Sequence, residues 1–101
     1  MSNKIPPAIL SKIKRYPLFY QKVWLECAKI SRGETLSYGE LAKKAGSPGA
    51  ARAVGTALSK NPFAPVIPCH RVIAANGKPG GYSGRGGIKK KISLLKREGA
   101  I

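Results

Sequence analysis

Apolar residues recur at helical spacing in three stretches of this chain. Phe19, Val23, Cys27 and Ile30 fall at i, i+4, i+8 and i+11. That stripe predicts a helix from about Pro17 to Ile30, with Pro17 in the first turn, where its fixed φ suits helix entry. Ala50, Val54, Ala57 and Leu58 mark the inner face of a second stretch, and Ile88, Ile92 and Leu95 mark a third, from about Ile88 to Glu98. Ser37 and Glu40 stand three apart just ahead of Leu41 and Ala42, the spacing of a capping box. The short helix they open should end at Gly46. Ser47-Pro48 predicts a fresh start, with Ser as cap and Pro in the first turn, for a helix running to about Lys60 and stopping before Asn61-Pro62. Two short helices joined by a tight Gly-containing turn form a helix-turn-helix pattern.

The remainder is less regular. Pro6-Pro7 prevents a continuous helix from the start, and residues 1–16 read as a basic leader ahead of one domain spanning 17–101. Val66-Ile67 and Val72-Ile73 are short β-prone runs flanking Pro68-Cys69-His70-Arg71. Asn76-Gly77 is a turn signal. Gly80 to Gly87 is a glycine-rich loop that fits neither a P-loop nor a dinucleotide fingerprint. The expected architecture is mainly α: a small helical domain with a helix-turn-helix, winged-helix-like, and short β segments around Cys69.

Charge narrows the partner. Of 101 residues, 19 are Lys or Arg and 4 are Asp or Glu, a net +15, and the 43% apolar content suffices for one modest core. The excess is +6 over residues 1–33, +2 over 34–68 and +7 over 69–101. Such a balance marks a polyanion binder. All four acids are Glu (Glu26, Glu34, Glu40 and Glu98), and His70 is the sole His. A Ser-His-Asp triad and an Asp-held Mg²⁺ are thereby excluded. Cys27, Cys69 and His70 are too few for a closed zinc site, so no metal is expected. No stretch approaches the ~18 apolar residues that span a bilayer, and Met1 to Pro7 lacks the apolar region of a signal peptide. Two cysteines 42 positions apart read as free thiols in a reducing, cytoplasmic or nucleoid setting.

Two places carry candidate chemistry. The stretch after Ser47 is rich in small residues (Gly49, Ala50, Ala51, Ala53, Gly55, Thr56, Ala57), with Arg52, Thr56 and Ser59 on its outer face. Close helix packing with a solvated Arg52 and close approach to DNA both fit that spacing, and the net charge favours DNA. Cys69 adjoins His70, and a thiol beside an imidazole can become a nucleophile. Side chains of neighbouring strand residues point apart, so cooperation needs a turn, which Pro68 allows, or a bridging water. Glu98 stands i+3 from Leu95 and i+4 from Leu94: either a solvated terminal residue or an inward carboxylate able to orient His70. Cys27, on an apolar stripe, reads as a small buried hydrophobe.

These segments together resemble one family. Ile67-Pro68-Cys69-His70-Arg71-Val72 resembles the active-site signature of the 6-O-alkylguanine-DNA alkyltransferases, also called methylguanine-DNA methyltransferases. Leu36 to Ala42 is similar to the start of the family's helix-turn-helix, Ala51 to Gly55 to its recognition helix, and Asn61-Pro62 to its Asn hinge. Gly81-Tyr82-Ser83-Gly84 resembles the binding-pocket loop, and Leu94-Leu95 through Glu98-Gly99 the closing helix. The likeness runs over residues 17–99, the C-terminal DNA-binding and catalytic domain of the family.

The resemblance implies minor-groove binding to duplex DNA containing 6-O-alkylguanine, followed by base flipping. Arg52 would enter the stack, and Tyr38, Ala50, Ala51, Thr56 and Asn61 would complete the DNA contacts. Tyr82, Ser83 and Val72 would hold the extruded base. Cys69 would take the alkyl group irreversibly, His70 would receive the thiol proton through a water, Glu98 would hold His70, and Tyr38 could protonate the leaving base. Neither metal nor organic cofactor is implied, and the chain is expected to be a monomer off the membrane. Three departures stand beside the likeness: about 16 residues precede the first helix, Ala64-Pro65 differs from the common loop after the hinge, and Ser83 to Ile88 is slightly longer. The short length also resembles alkyltransferase-like proteins, which bind alkylguanine without chemistry and recruit other repair factors. Those usually carry Trp where this chain has Cys69.

Overall fold

The computed structural model describes residues 5–63, 66–74 and 87–100. Its elements are α1 (Pro7–Ile13), α2 (Leu18–Cys27), β1 (Leu36–Ser37), α3 (Tyr38–Lys44), α4 (Ala51–Ser59), a 3₁₀ turn (Cys69–Arg71), β2 (Val72–Ile73) and α5 (Gly87–Arg97). The mainly helical architecture with short β segments is as expected, and four details differ.

The first difference is α1. Residues read as a basic leader form a helix that enters through Pro6-Pro7, and its Ile13 is buried in the core. Proline excludes a helix running through it yet favours one beginning on it. The second lies between α3 and α4. The capping box forms as expected, Glu40 N–H donating to Ser37 Oγ at 3.1 Å and Ser37 N–H to Glu40 Oε1 at 2.9 Å. At the other end of α3, Gly46 takes φ +82°, with Ser47 N–H bonded to Ala42 O and Gly46 N–H to Lys43 O. That pair of bonds is a Schellman cap. Ser47-Pro48 does not restart a helix. Ala50 N–H bonds Ser47 O, and Gly49 at φ +85° occupies the third turn position, as a Pro-Gly turn of type II requires. α4 therefore begins at Ala51, with Ala50 as its N-cap and no side chain capping it.

The third difference concerns the sheet. Its two strands are parallel, Leu36 opposite Val72 and Ser37 opposite Ile73. Val66-Ile67, one of the β-prone runs, contributes no strand; Ile67 is buried in the core instead. The fourth concerns α5, whose buried face holds Lys91 and Leu95 while Ile88 is exposed.

The core lies where α2, α3 and α4 meet. Trp24 is fully buried and donates its indole N–H to Ala57 O of α4 at 2.9 Å. Tyr16 and Phe63 stand edge-on to it, at centroid distances of 4.8 and 5.8 Å. An indole buried with its polar end satisfied adds area without the cost of an orphaned donor. Val54, Ala57 and Leu58 are buried and Arg52, Thr56 and Ser59 exposed, so the two faces of α4 divide as the spacing predicts.

Candidate active site and DNA-facing helix

Cys69, His70 and Arg71 occupy a single 3₁₀ turn between Pro68 and β2, with Cys69 N–H bonded to Ile67 O and Arg71 N–H to Pro68 O. The turn removes the strand geometry that would have pointed neighbouring side chains apart. All three residues are buried. Cys69 is 5% exposed, and burial pushes its thiol pKa up; a hydrogen bond from Asn61 and the charge of Lys91 pull it back. At rest the sulfur is a thiol, and a proton acceptor is needed when it reacts.

His70 and Glu98 supply that acceptor and its support. His70 Nε2 lies 3.0 Å from Glu98 Oε2. Arg71 grips the same carboxylate with two bonds, Nε to Oε1 at 2.9 Å and Nη2 to Oε2 at 2.7 Å, and its Nη1 reaches Ile30 O at 2.8 Å. The guanidinium, more than any other group, holds Glu98 down at about pH 2, so the carboxylate is ionised and can only accept hydrogen bonds. Nε2 of His70 must then carry its hydrogen. Burial, the largest influence on His70, lowers its pKa and keeps the ring neutral near pH 7. A neutral ring protonated on Nε2 presents Nδ1 as a lone-pair acceptor. Nδ1 is also the buried side-chain atom with no hydrogen-bond partner among the described residues. The same observation shows that Cys69 and His70 make no direct hydrogen bond.

The carboxylate is placed by the end of α5. Ala100 N–H bonds Leu95 O and Gly99 N–H bonds Lys96 O, a second Schellman cap that leaves Glu98 at the C-cap. The loop after α2 closes over this end. Gly33 has φ +89°, and a Cβ there would sit 3.1 Å from Glu98 O. Both conditions require glycine.

Two neighbours of the sulfur escape the sequence patterns. Lys91 is fully buried, donates from Nζ to Val72 O and stands 5.7 Å from the centroid of the Tyr38 ring. Burial lowers its pKa to about 8, so it keeps its charge in neutral solution. A lysine inside the apolar stripe of α5, four residues before Leu95 and seven before Glu98, is the signal that could have revealed it. Asn61 is the other. It was expected among the DNA contacts, but it is buried. Its Nδ2 bonds Ile67 O at 3.1 Å and its Oδ1 accepts from Phe63 N–H at 2.8 Å. It braces the loop carrying the thiol.

Of the other expected site residues, Tyr38 opens α3 half-buried and faces Lys91. Val72 pairs with Leu36, and its carbonyl accepts from Lys91. Arg52 and Thr56 lie exposed on α4, Ala51 is half-exposed, and Ala50 packs against the core as the N-cap of that helix. Tyr82 and Ser83 lie outside the described residues. Among those described, no group of three metal-ligating side chains occurs and no helix is long and apolar enough to cross a membrane.

Known proteins match this arrangement. A methylated-DNA–protein-cysteine methyltransferase of Mycobacterium leprae is 54% identical over 80 residues, 79% of this chain and 47% of that protein. The crystal structure of Mycobacterium tuberculosis OGT in complex with DNA superposes with a TM-score of 0.80 at 52% identity, over 85% of this chain and 52% of that one. Schizosaccharomyces pombe Atl1, in complex with damaged DNA containing O6-carboxymethylguanine, gives 0.66 at 34% identity, over 80% of this chain and 75% of that one. The chain spans about half the length of the curated relatives it matches. Residues 18–100 match the DNA-binding domain of 6-O-methylguanine DNA methyltransferase, and the chain belongs to that family.

Proposed function

We propose that this chain repairs DNA by moving an alkyl group from O6 of an alkylguanine in duplex DNA onto Cys69, once per molecule. The observation that carries the reading is the state of His70. Its Nε2 is committed to an ionised Glu98, and its Nδ1 is an acceptor with no partner among the described residues, one residue from a buried thiol. Such a ring is set to receive a proton at the moment the sulfur becomes a nucleophile.

The step balances as follows. Sγ of Cys69 attacks the alkyl carbon, a C–S bond forms, and the C–O6 bond breaks with its electron pair going to the base. The thiol proton passes to His70 Nδ1 through one water, since the two side chains do not touch directly. The leaving guanine takes up one proton, for which Tyr38 is the donor, and the relay returns its own to restore Tyr38. Lys91, charged and buried near the sulfur, favours the developing thiolate. No water attacks the resulting thioether, so turnover stops at one.

The exposed face of α4 delivers the lesion. Arg52 is the longest side chain on a face otherwise made of Ala53, Thr56 and Ser59, so the helix backbone can approach the minor groove while Arg52 fills the space of the extruded base. The net charge of +15 suits phosphate contacts beside that helix. Incubation of the reduced protein with methylguanine duplex, followed by intact and peptide mass measurement, should show one methyl on Cys69. Lesion binding without a mass change would instead support a lesion-binding protein without chemistry.

A further inference from the structure

A shallow cleft of about 470 Å³ opens where α1 meets the segment leaving α4, lined by Lys12, Arg15, Tyr16, Pro62 and Phe63. We propose that this cleft seats the phosphodiester backbone of the same duplex, beyond the C-terminal end of α4. The proposal rests on the reading of α4 as the DNA-facing helix. Lys12 and Arg15 precede the family match, which begins at residue 18, so nothing in that match assigns them.

Three observations support it. The first is charge. The cleft lining holds two cations and no acid, and neither Lys12 nor Arg15 forms an ion pair among the described residues. Three of the four glutamates are committed elsewhere: Glu26 to Lys29, Glu40 to the cap at Ser37, and Glu98 to His70 and Arg71. Two cations with no protein counter-ion at the rim of a cleft suit an anionic occupant. The second is rigidity. Tyr16 packs edge-on against Phe63 at 6.1 Å and Trp24 at 4.8 Å, and Trp24 is bonded to Ala57 of α4. Gln21 Nε2 donates to Tyr16 O at 2.8 Å and so fixes the exit from α1. The cations are therefore held at a set position relative to α4 instead of trailing from a free arm. The third is continuity. Lys60, the C-cap of α4, is exposed, and Pro62 and Phe63 of the cleft follow it after Asn61. A strand crossing the outer face of α4 would meet this cleft next, where its phosphates find Lys12 and Arg15. Phosphate contacts of this kind position a duplex without reading its sequence.

The test is a salt series. Duplex binding is measured by fluorescence anisotropy for the wild type, for Lys12→Gln/Arg15→Gln, and for Lys22→Gln/Lys29→Gln as a charge-matched control in a different groove. Each phosphate contact contributes about 0.9 to the slope of log affinity against log salt. The cleft variant should bind at least about tenfold more weakly at 0.1 M salt, equally for damaged and undamaged duplex, with a slope shallower by about 1.8. The control should keep its slope. Circular dichroism confirms that each variant is folded. A folded cleft variant with wild-type affinity and slope overturns the proposal alone. Wild-type protein that does not bind duplex at all overturns both this proposal and the reading of α4.

Discussion

The helix-turn-helix and the thiol site are built by different means. From the cap at Ser37 to the start of α4, the chain is turned by bonds between residues three to five apart: the capping box at Ser37 and Glu40, the Schellman cap at Gly46 and the turn from Ser47 to Ala50. The thiol site is assembled from far along the chain. His70 reaches Glu98 over 28 positions, Arg71 reaches Ile30 over 41, and Lys91 reaches Val72 over 19. A surface helix need only be presented to DNA, and local rules suffice for that. A relay must hold several polar groups out of water at fixed distances, and only packing among α2, β2 and α5 achieves it.

Removing one long-range tie should therefore have the largest effect. Arg71→Ala strips Glu98 of its main cation and removes the Nη1 bond to Ile30 O, and a broken buried ion pair costs about 3–5 kcal/mol. Urea unfolding should show a loss of that order, and a loss below about 1 kcal/mol would mean the site is held by something else. The pH dependence follows from the same tie. Glu98 has a folded pKa of about 2 against an ordinary 4.5, so its contribution to stability is complete above about pH 4.5 and is lost as pH falls towards 2. Glu98→Gln should flatten the stability curve across that window. The proposed alkyl transfer needs neutral His70, whose pKa burial lowers from 6.5, so the acid limb of the rate profile should lie below 6.5. An acid limb centred above 6.5 would contradict the burial of that ring. Local edits should be milder. Ser37→Ala removes one side of the capping box and should cost about 1 kcal/mol. Smallest in stability is Arg52→Ala, exposed and expected within about 0.5 kcal/mol of wild type, while lesion binding weakens clearly.

The same division explains what could be read from the residues. Capping at Ser37 and Glu40, the two faces of α4 and the stripe at Val23 and Cys27 follow local periodicity, and the structure has them as predicted, whereas α2 ends at Cys27 and Ile30 is buried beyond it. The pairing of His70 with Glu98 also emerged as expected, but only as one of two readings of a residue near a helix end. A lysine within an apolar stripe reads as an interruption of it, and only the packing of α5 against β2 shows Lys91 buried with its charge acting on Cys69. The resemblance implied a DNA contact for Asn61, whereas here its side chain is buried and satisfies backbone groups around the thiol loop. Pro6-Pro7 bars a helix from running through it and so hides α1, which begins on Pro7.

The most direct test of the thiol relay is mass measurement of the reduced protein after incubation with methylguanine duplex, alongside His70→Ala and Cys69→Ser. Expected is a gain of one CH₂ on the Cys69 peptide of the wild type, a much slower gain for His70→Ala and none for Cys69→Ser. Wild-type protein that binds the lesion and gains no mass, or that gains it on Cys27 instead, would contradict the assignment.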